Sequence, residues 1–388
     1  MTHADNATAS GSPLSWTDIH DSIEKACVRE MTLERENRFL LEAASPTPMD
    51  MEKQVRDKAD ELRIDLIGFS KVEKTSYDKV IRDRISRGLI REEMVANTEC
   101  FRIPETYADP DKSLHGARTL ICVGSAYLEH REKPKEMATH GTIGRHVWRD
   151  SYTDLSNKRD ELIKYLKERG FNAERAKVHP REAARETGLA WIGRNAFAIN
   201  PTYGSWVVYY ALVTDADIAP TTRIAKTCPK NCRKCMDACP TKAIVEPYVL
   251  NVGRCLNYLM EKKGSVPNEF RVAMGNRING CDTCQEVCPM NSRAKPCPQP
   301  RTATAPDPEL VPYPKLARLF DLTQADMDKN FAHMDWHEPT IRFLRRNALV
   351  AAGNSGEKEL IGSARPFVIS DDEMLKELAH WALDMLSK

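Results

Sequence analysis

Seven of the chain's twelve cysteines fall in two short runs. CPKNCRKCMDACP carries Cys228, Cys232, Cys235 and Cys239, and CDTCQEVCP carries Cys281, Cys284 and Cys288. Thiolate is a soft ligand that suits iron–sulfur clusters, zinc and copper(I). Zinc sites usually present two separated Cys-x-x-Cys knuckles. The bacterial ferredoxin run reads C-x2-C-x2-C-x3-C-P instead, and its last cysteine ligates the other cluster. Both runs match that pattern from its second ligand onward, and both end in Cys-Pro. Two [4Fe–4S] clusters need a thiolate more than the runs supply, and Cys255, between them, is the natural candidate. The expected sets are Cys228, Cys232, Cys235 and Cys288 for one cluster, and Cys239, Cys255, Cys281 and Cys284 for the other. The gap from Cys228 to Cys232 is one residue longer than the pattern, with Pro229 inside it, so a local bulge is expected there. Cys297 is the substitute if Cys228 fails, and zinc or a single cluster is the alternative. Cys27, Cys100 and Cys122 stand outside ligand spacing.

Clusters of this kind move electrons and perform no organic chemistry alone, so a further acceptor is required. The sequence has no GxGxxG after a strand and no GxxxxGK[ST], which leaves dinucleotide and P-loop sites unsupported. The corrinoid motif DxHxxG is also missing: Asp18-Ile19-His20 begins like it, but Ile23 stands where the glycine should be. Lys plus Arg number 57 and Asp plus Glu 56 in 388 residues, so no global basic signature announces nucleic acid. The longest apolar run, Trp206 to Val213, is far shorter than the ~20 residues of a bilayer-spanning helix. The N-terminal stretch lacks a basic segment followed by an apolar one. The expectation is a cytoplasmic protein with no membrane partner.

Four segments must position these residues. Residues 1–50 read as an extension with one charged helical stretch, Ser22 to Leu41. Residues 51–220 alternate apolar, β-branched strands (LIGFSKV, TLICVGSAYL, SWVVYYALVTD) with an amphipathic helix that aligns Leu155, Leu162, Tyr165 and Leu166. Residues 221–300 hold the cysteine runs. Residues 301–388 begin in a Pro-rich linker and end in TIRFLRRNALVAAGN and DDEMLKELAHWALDML, a candidate helical pair.

CPTKAIVEPYVLNVGRCLNYL followed by MGNRINGCDTCQEVCPMN resembles the ferredoxin module of epoxyqueuosine reductases, which are similar to the catalytic core of reductive dehalogenases. The resemblance extends to GLAWIGRNAFAINPTYGSW and to LRRNALVAAGN. It implies an α/β (α+β) corrinoid-binding reductase domain with a two-cluster bacterial-ferredoxin-like module and a C-terminal helical, HEAT-like segment. It implies cobalamin held without DxHxxG, two [4Fe–4S] clusters, and a low-potential electron donor of the flavodoxin or ferredoxin type. The implied reaction is reductive loss of the epoxide oxygen of epoxyqueuosine in tRNA. The implied cofactor contacts are Arg149, Asp150 and Tyr152 in RHVWRDSYTDL, then Trp191, Gly193, Arg194, Asn195 and Ser205. Two departures stand out. The family's proton-donating aspartate has no clean counterpart, and an ungapped match places Glu174 there. Its Gly-Glu pair becomes Tyr210-Ala211. A paralogue reducing a small halogenated or oxygenated molecule is therefore an alternative, as is an electron-transfer or corrinoid-reactivating protein without its own substrate.

Glu174 could act as a general acid if burial raised its pKa, and His179 titrates near neutrality unaided. A solvated glutamate and an ordinary loop histidine are the plain counterparts. Arg342, Arg345 and Arg346 could present one basic helix face to phosphates, or simply a solvated one.

Overall fold

The apolar, β-branched segments of the first half build one sheet. The computed structural model describes residues 46–298, 307, 309–331 and 340–388. Four strands, β1 (Leu66–Lys71), β2 (Thr119–Ala126), β3 (Ala173–Arg175) and β4 (Val207–Thr214), lie in the order β1-β2-β4-β3. Every pairing is antiparallel, with Gly68 opposite Cys122, Cys122 opposite Ala211, and Glu174 opposite Val213. All eight residues of β2 are buried, because helices cover both faces. Ile121, Val123, Val208 and Leu212 meet α1 (Pro48–Glu61) and α2 (Ser151–Lys167), which supply Val55, Ala59, Leu155, Leu162 and Leu166. Leu120, Cys122, Ala211 and Val213 meet Ala183 and Ala184 of α3 (Pro180–Glu186) on the other face. Each fully buried leucine contributes about 2 kcal/mol. The register therefore fixes which side chains of β4 reach either face.

Met51–Lys388 form one compact unit, distinct from Met1–Asp50. The expected boundaries near residues 220 and 300 divide the sequence but not the core. Ile143, Val147 and Trp148 share one apolar cluster with Leu256, Leu259 and Ile278 and with Leu344, Leu349 and Leu378 of the tail. A short parallel ladder, Thr142–Ile143 with Arg277–Asn279, ties the first half to the cysteine segment. The helical stretch expected over Ser22 to Leu41 lies outside the described residues.

The tail holds the two expected helices, α4 (Ile341–Ser355) and α5 (Glu373–Leu386). They cross closely at Gly353, where a Cβ would stand 2.6 Å from Cζ3 of Trp381. The tail arginines do not form a free basic face. Arg346 is fully buried and donates to the carbonyls of Lys262 and Gly264 (2.8 Å to the latter) and of Met260. Arg345 donates to Leu322 O at 2.8 Å, and Arg342 is paired with Asp372. A buried guanidinium satisfied by carbonyls is a strut between segments, which corrects the phosphate-binding reading of this face.

Candidate metal centre and active-site cavity

The eight candidate thiols separate into two quartets. Cys228, Cys232, Cys235 and Cys288 line one small cavity together with Arg194, Asn195 and Met290. Cys239, Cys255, Cys281 and Cys284 all lie in the wall of a second, larger cavity. Local backbone chemistry accounts for the exchange between the runs. Cys235 sits on the short helix Lys234–Ala238 and Cys284 on Thr283–Glu286. The following Cys-Pro forces each cysteine before proline out of the helical region. Cys239 has φ −63° and ψ 115°, and Cys288 has φ −73° and ψ 121°. Each run thus leaves its helix and sends its last thiol to the other quartet. The extra residue after Cys228 is taken up by a turn that the Cys232 N–H closes on Pro229 O at 3.0 Å.

Four crowded thiols can all ionise only if a cation compensates them. Burial, then Cys288, Cys228 and Cys232, push the Cys235 thiol up to about 11. Burial, opposed by N–H donors and reinforced by Cys281 and Cys239, holds Cys255 at about 11. Cys239 accepts a backbone N–H from Ala243 at 3.2 Å and Cys228 one from Arg194 at 3.4 Å, bonds of the kind that favour a thiolate. Among the described residues no three His, Cys, Asp or Glu groups meet at the spacing of a single-ion site. The thiols of a cubane need not do so, because they ligate separate irons at its corners. Donor type, number and pairing all fit two such clusters. Cys297 stands apart from both quartets and accepts from Arg149 Nη2 at 2.6 Å.

The larger cavity has a volume of about 470 Å³, within the range of small-ligand sites. Its walls are tyrosines and aliphatics, including Tyr127, Tyr152, Tyr209, Tyr210 and Leu250, with amides and hydroxyls from Asn195, Asn257, Gln285, Thr241 and Thr283. His146, His179 and Arg181 also face it. No Asp or Glu is among the described lining residues.

Of the two catalytic candidates, only His179 reaches this space. It caps α3, lies over the Tyr77 ring with centroids 5.1 Å apart, and accepts from Arg181 N–H at 3.3 Å. Burial, and then the charges of Arg181 and Arg84, hold its pKa well below the usual histidine value. It is therefore neutral at neutral pH. Glu174 points to solvent from the edge strand β3, paired with Lys167 at 2.7 Å. Strand alternation buries its neighbour Ala173 instead, so the acid inferred by ungapped matching is outside the cavity.

The expected cofactor contacts divide likewise. Tyr152 lines the cavity, and Asn195 lines both cavities while donating to Cys284 O at 3.4 Å. Trp191, Gly193 and Arg194 stand at the first quartet. Trp191 packs in a cluster with Ile199, Cys288 and Cys228. A Cβ on Gly193 would come within 2.5 Å of Ile199 Cδ1. Arg194 donates to the carbonyls of Cys232 (3.2 Å) and Lys230. Arg149 is buried against Glu129 and Cys297. Asp150 accepts from Thr153 N–H at 2.8 Å as the N-cap of α2, a role its residue type favours. The Ser205 hydroxyl accepts from Gln285 Nε2 (3.0 Å) and Asn291 Nδ2 (2.8 Å), which steadies the second cysteine run. Tyr127, His146, Arg181, Asn257 and Gln285 went unnoticed in the sequence. Asn257 and Gln285 flank ligand cysteines, a signal that could have found them; the others are brought in by tertiary structure alone.

Residues 227–291 match a family model described as a 4Fe-4S double cluster binding domain. Fold and site together define an iron–sulfur oxidoreductase. The chain is 30% identical over 346 residues to the epoxyqueuosine reductase of Bacillus anthracis, covering 84% of this chain and 89% of the relative. It is 28% identical to that of Bacillus subtilis, covering 86% and 87%. It belongs to the epoxyqueuosine reductase family. A solved structure of the Bacillus subtilis enzyme, its catalytic loop swung out of the active site, superposes with a TM-score of 0.79 at 26% identity, covering 87% of this chain and 90% of that one. An epoxyqueuosine reductase crystallised with an epoxyqueuosine-modified tRNA stem loop superposes with a TM-score of 0.77 at 25% identity, with the same coverage. Among the described residues no helix is long and apolar enough to cross a membrane.

Proposed function

We propose that the protein is a cobalamin-dependent iron–sulfur reductase that removes the epoxide oxygen of epoxyqueuosine in tRNA. One observation carries the reading: the second thiol quartet forms part of the wall of the 470 Å³ cavity, and the first does not. A substrate-sized space thus abuts the second quartet, while the first faces elsewhere. The reaction takes in two electrons and two protons and releases water as the epoxide becomes an alkene. When bound, the clusters and the corrinoid supply low-potential electrons and a strongly reducing metal.

The chain supplies position, dryness and protons. A corrinoid has apolar faces and an amide-bearing rim. The tyrosine and aliphatic walls suit the faces, while Asn195, Asn257, Gln285, Thr241 and Thr283 suit the rim. Neutral His179 can orient an oxygen through its ring but cannot act as a cationic acid at neutral pH. Tyr209 lines the cavity, and among the described residues its buried hydroxyl has no hydrogen-bond partner. The hydroxyl is shielded from the cavity beside Cys122, so it would protonate a departing oxygen only after the ring turns, and a strongly basic alkoxide can take a proton even from a high-pKa phenol.

Around the first quartet, Lys226, Lys230, Arg233, Lys234 and Lys242 are exposed, and Asp237 is the acidic residue among them. This basic rim suits an acidic donor of the flavodoxin or ferredoxin type, a reading that goes with a cytoplasmic protein. A small-molecule substrate is the second reading. It is favoured by the internal engagement of Arg342, Arg345 and Arg346, which leaves that face without phosphate-binding cations. Anaerobic reconstitution with iron, sulfide and cobalamin, then incubation with epoxyqueuosine-containing tRNA and a strong reductant, decides between the two. Queuosine in the tRNA digest is the expected result. Unchanged tRNA beside fully loaded protein would reject the tRNA reading.

A further inference from the structure

A second chamber, of about 260 Å³, adjoins the principal cavity, and the two share His179, Arg181, Leu250 and Val252 in their walls. Its other walls include Tyr77, Arg84, Glu182 and Arg185. The charges in it are unequally matched. Arg185 is paired with Glu182 at 2.7 Å and with Glu186 at 2.8 Å, and Glu186 is also paired with Arg223. That leaves both carboxylates engaged. Among the described residues neither Arg84 nor Arg181 forms an ion pair; Arg84 donates to Tyr248 O at 2.9 Å and Arg181 to Ala196 O. Tyr77 is 5% exposed, and its hydroxyl is buried beside the Cys100 thiol.

Burying a cation without an anion is costly, and the fork geometry of arginine matches carboxylate and phosphate oxygens. Burial lowers the pKa of both Arg84 and Arg181, and the charge of Arg84 lowers that of Arg181 further. A neutral ligand would leave that cost standing. We propose that this chamber is a binding site for a phosphate or carboxylate group, held by Arg84 and Arg181. The group belongs to a molecule that also occupies the principal cavity, whose wall the chamber shares at His179 and Arg181. Two sources share this chemistry: the substrate, and the phosphodiester of a cobalamin nucleotide loop. The second source rests on the proposed cofactor; the anion site itself does not.

The test uses the full chain with its clusters reconstituted anaerobically and no corrinoid added. Inorganic phosphate is titrated by isothermal calorimetry. Saturable binding is expected, weakened about tenfold by Arg84→Gln and again by Arg181→Gln, the worth of one charge-assisted contact. Arg365→Gln, at an exposed position of the tail, should leave it unchanged. Absence of saturable phosphate binding by the wild-type protein overturns the proposal, and so does equal weakening by the Arg365 change. The wild-type measurement holds even if a cavity variant misfolds, which loss of cluster absorbance would reveal. A second arm compares cobalamin with cobinamide, which lacks the nucleotide loop. If phosphate competes with cobalamin and not with cobinamide, the anion belongs to the cofactor; if it competes with neither, to the substrate. Phosphate binding without corrinoid binding would undo the proposed cofactor and leave the anion site intact.

Discussion

Asn195 donates its side-chain amide to the carbonyl of Cys284 at 3.4 Å while lining the small cavity of the other quartet. One side chain therefore touches the surroundings of both thiol sets. Asn195→Leu should leave the iron content unchanged, because no ligand is lost. It should slow reduction of the cavity-side cluster relative to the other, measured by stopped-flow absorbance after mixing with dithionite. Loss of iron would instead make Asn195 a structural support.

The exchange of last thiols is directly testable. Cys255→Ser should remove the cavity-side cluster and lower iron by about half. Cys288→Ser should remove the same cluster as Cys228→Ser, although Cys288 belongs to the same run as Cys284. Electron paramagnetic resonance of the reduced variants distinguishes the survivors. If Cys288→Ser and Cys284→Ser gave the same surviving spectrum, the crossed assignment would be wrong.

His179 predicts a pH dependence whose sign follows from its depressed pKa. Below about pH 6.5 an unfolded histidine takes up a proton that the folded one refuses. Its contribution to stability is therefore complete above that pH and is lost as pH falls, at up to about 1.4 kcal/mol per pH unit. Denaturant unfolding from pH 7.5 to 5.0 should show this loss in the wild type and a shallower one in His179→Gln. Parallel curves would mean that His179 titrates freely.

Tyr209→Phe removes the unpartnered hydroxyl and keeps the ring. Turnover should fall by about a hundredfold, with the clusters and the affinity for bound cofactor unchanged. Glu174→Gln should leave turnover at the wild-type value, since only an exposed pair worth under about 1 kcal/mol is lost. The opposite pattern would return the proton donor to Glu174.

Arg346→Ala strands the carbonyls of Met260, Lys262 and Gly264 and should cost about 3 kcal/mol by chemical denaturation. Arg342→Ala, which breaks a half-exposed pair with Asp372, should cost under about 1 kcal/mol. Comparable costs would contradict the strut role.

The grouping of the eight thiols into two quartets was legible because it is written in covalent spacing: a cysteine on a short helix, then a proline that turns the chain away. The strands Leu66–Lys71, Thr119–Ala126 and Val207–Thr214 were legible from their β-branched runs. The cavity was not, since Tyr127, His146, Arg181 and Gln285 meet only after the sheet and the cysteine segment have docked. Glu174 misled because aligning residues by count ignores strand alternation, which turned its side chain outward beside buried Ala173. Arg346 misled because nothing in a helix period tells a charge that faces water from one that satisfies the carbonyls of a neighbouring loop.

The proline-directed exchange of thiols also sets a timetable for biogenesis. A nascent chain that has released Cys228 to Cys239 from the ribosome holds three ligands of one set and one of the other. The cavity-side set closes only with Cys284, and its companion only with Cys288, four residues later. On the proposed ligand sets, neither cluster can be fully ligated until nearly the whole module has been synthesised, and the two sets then close almost together.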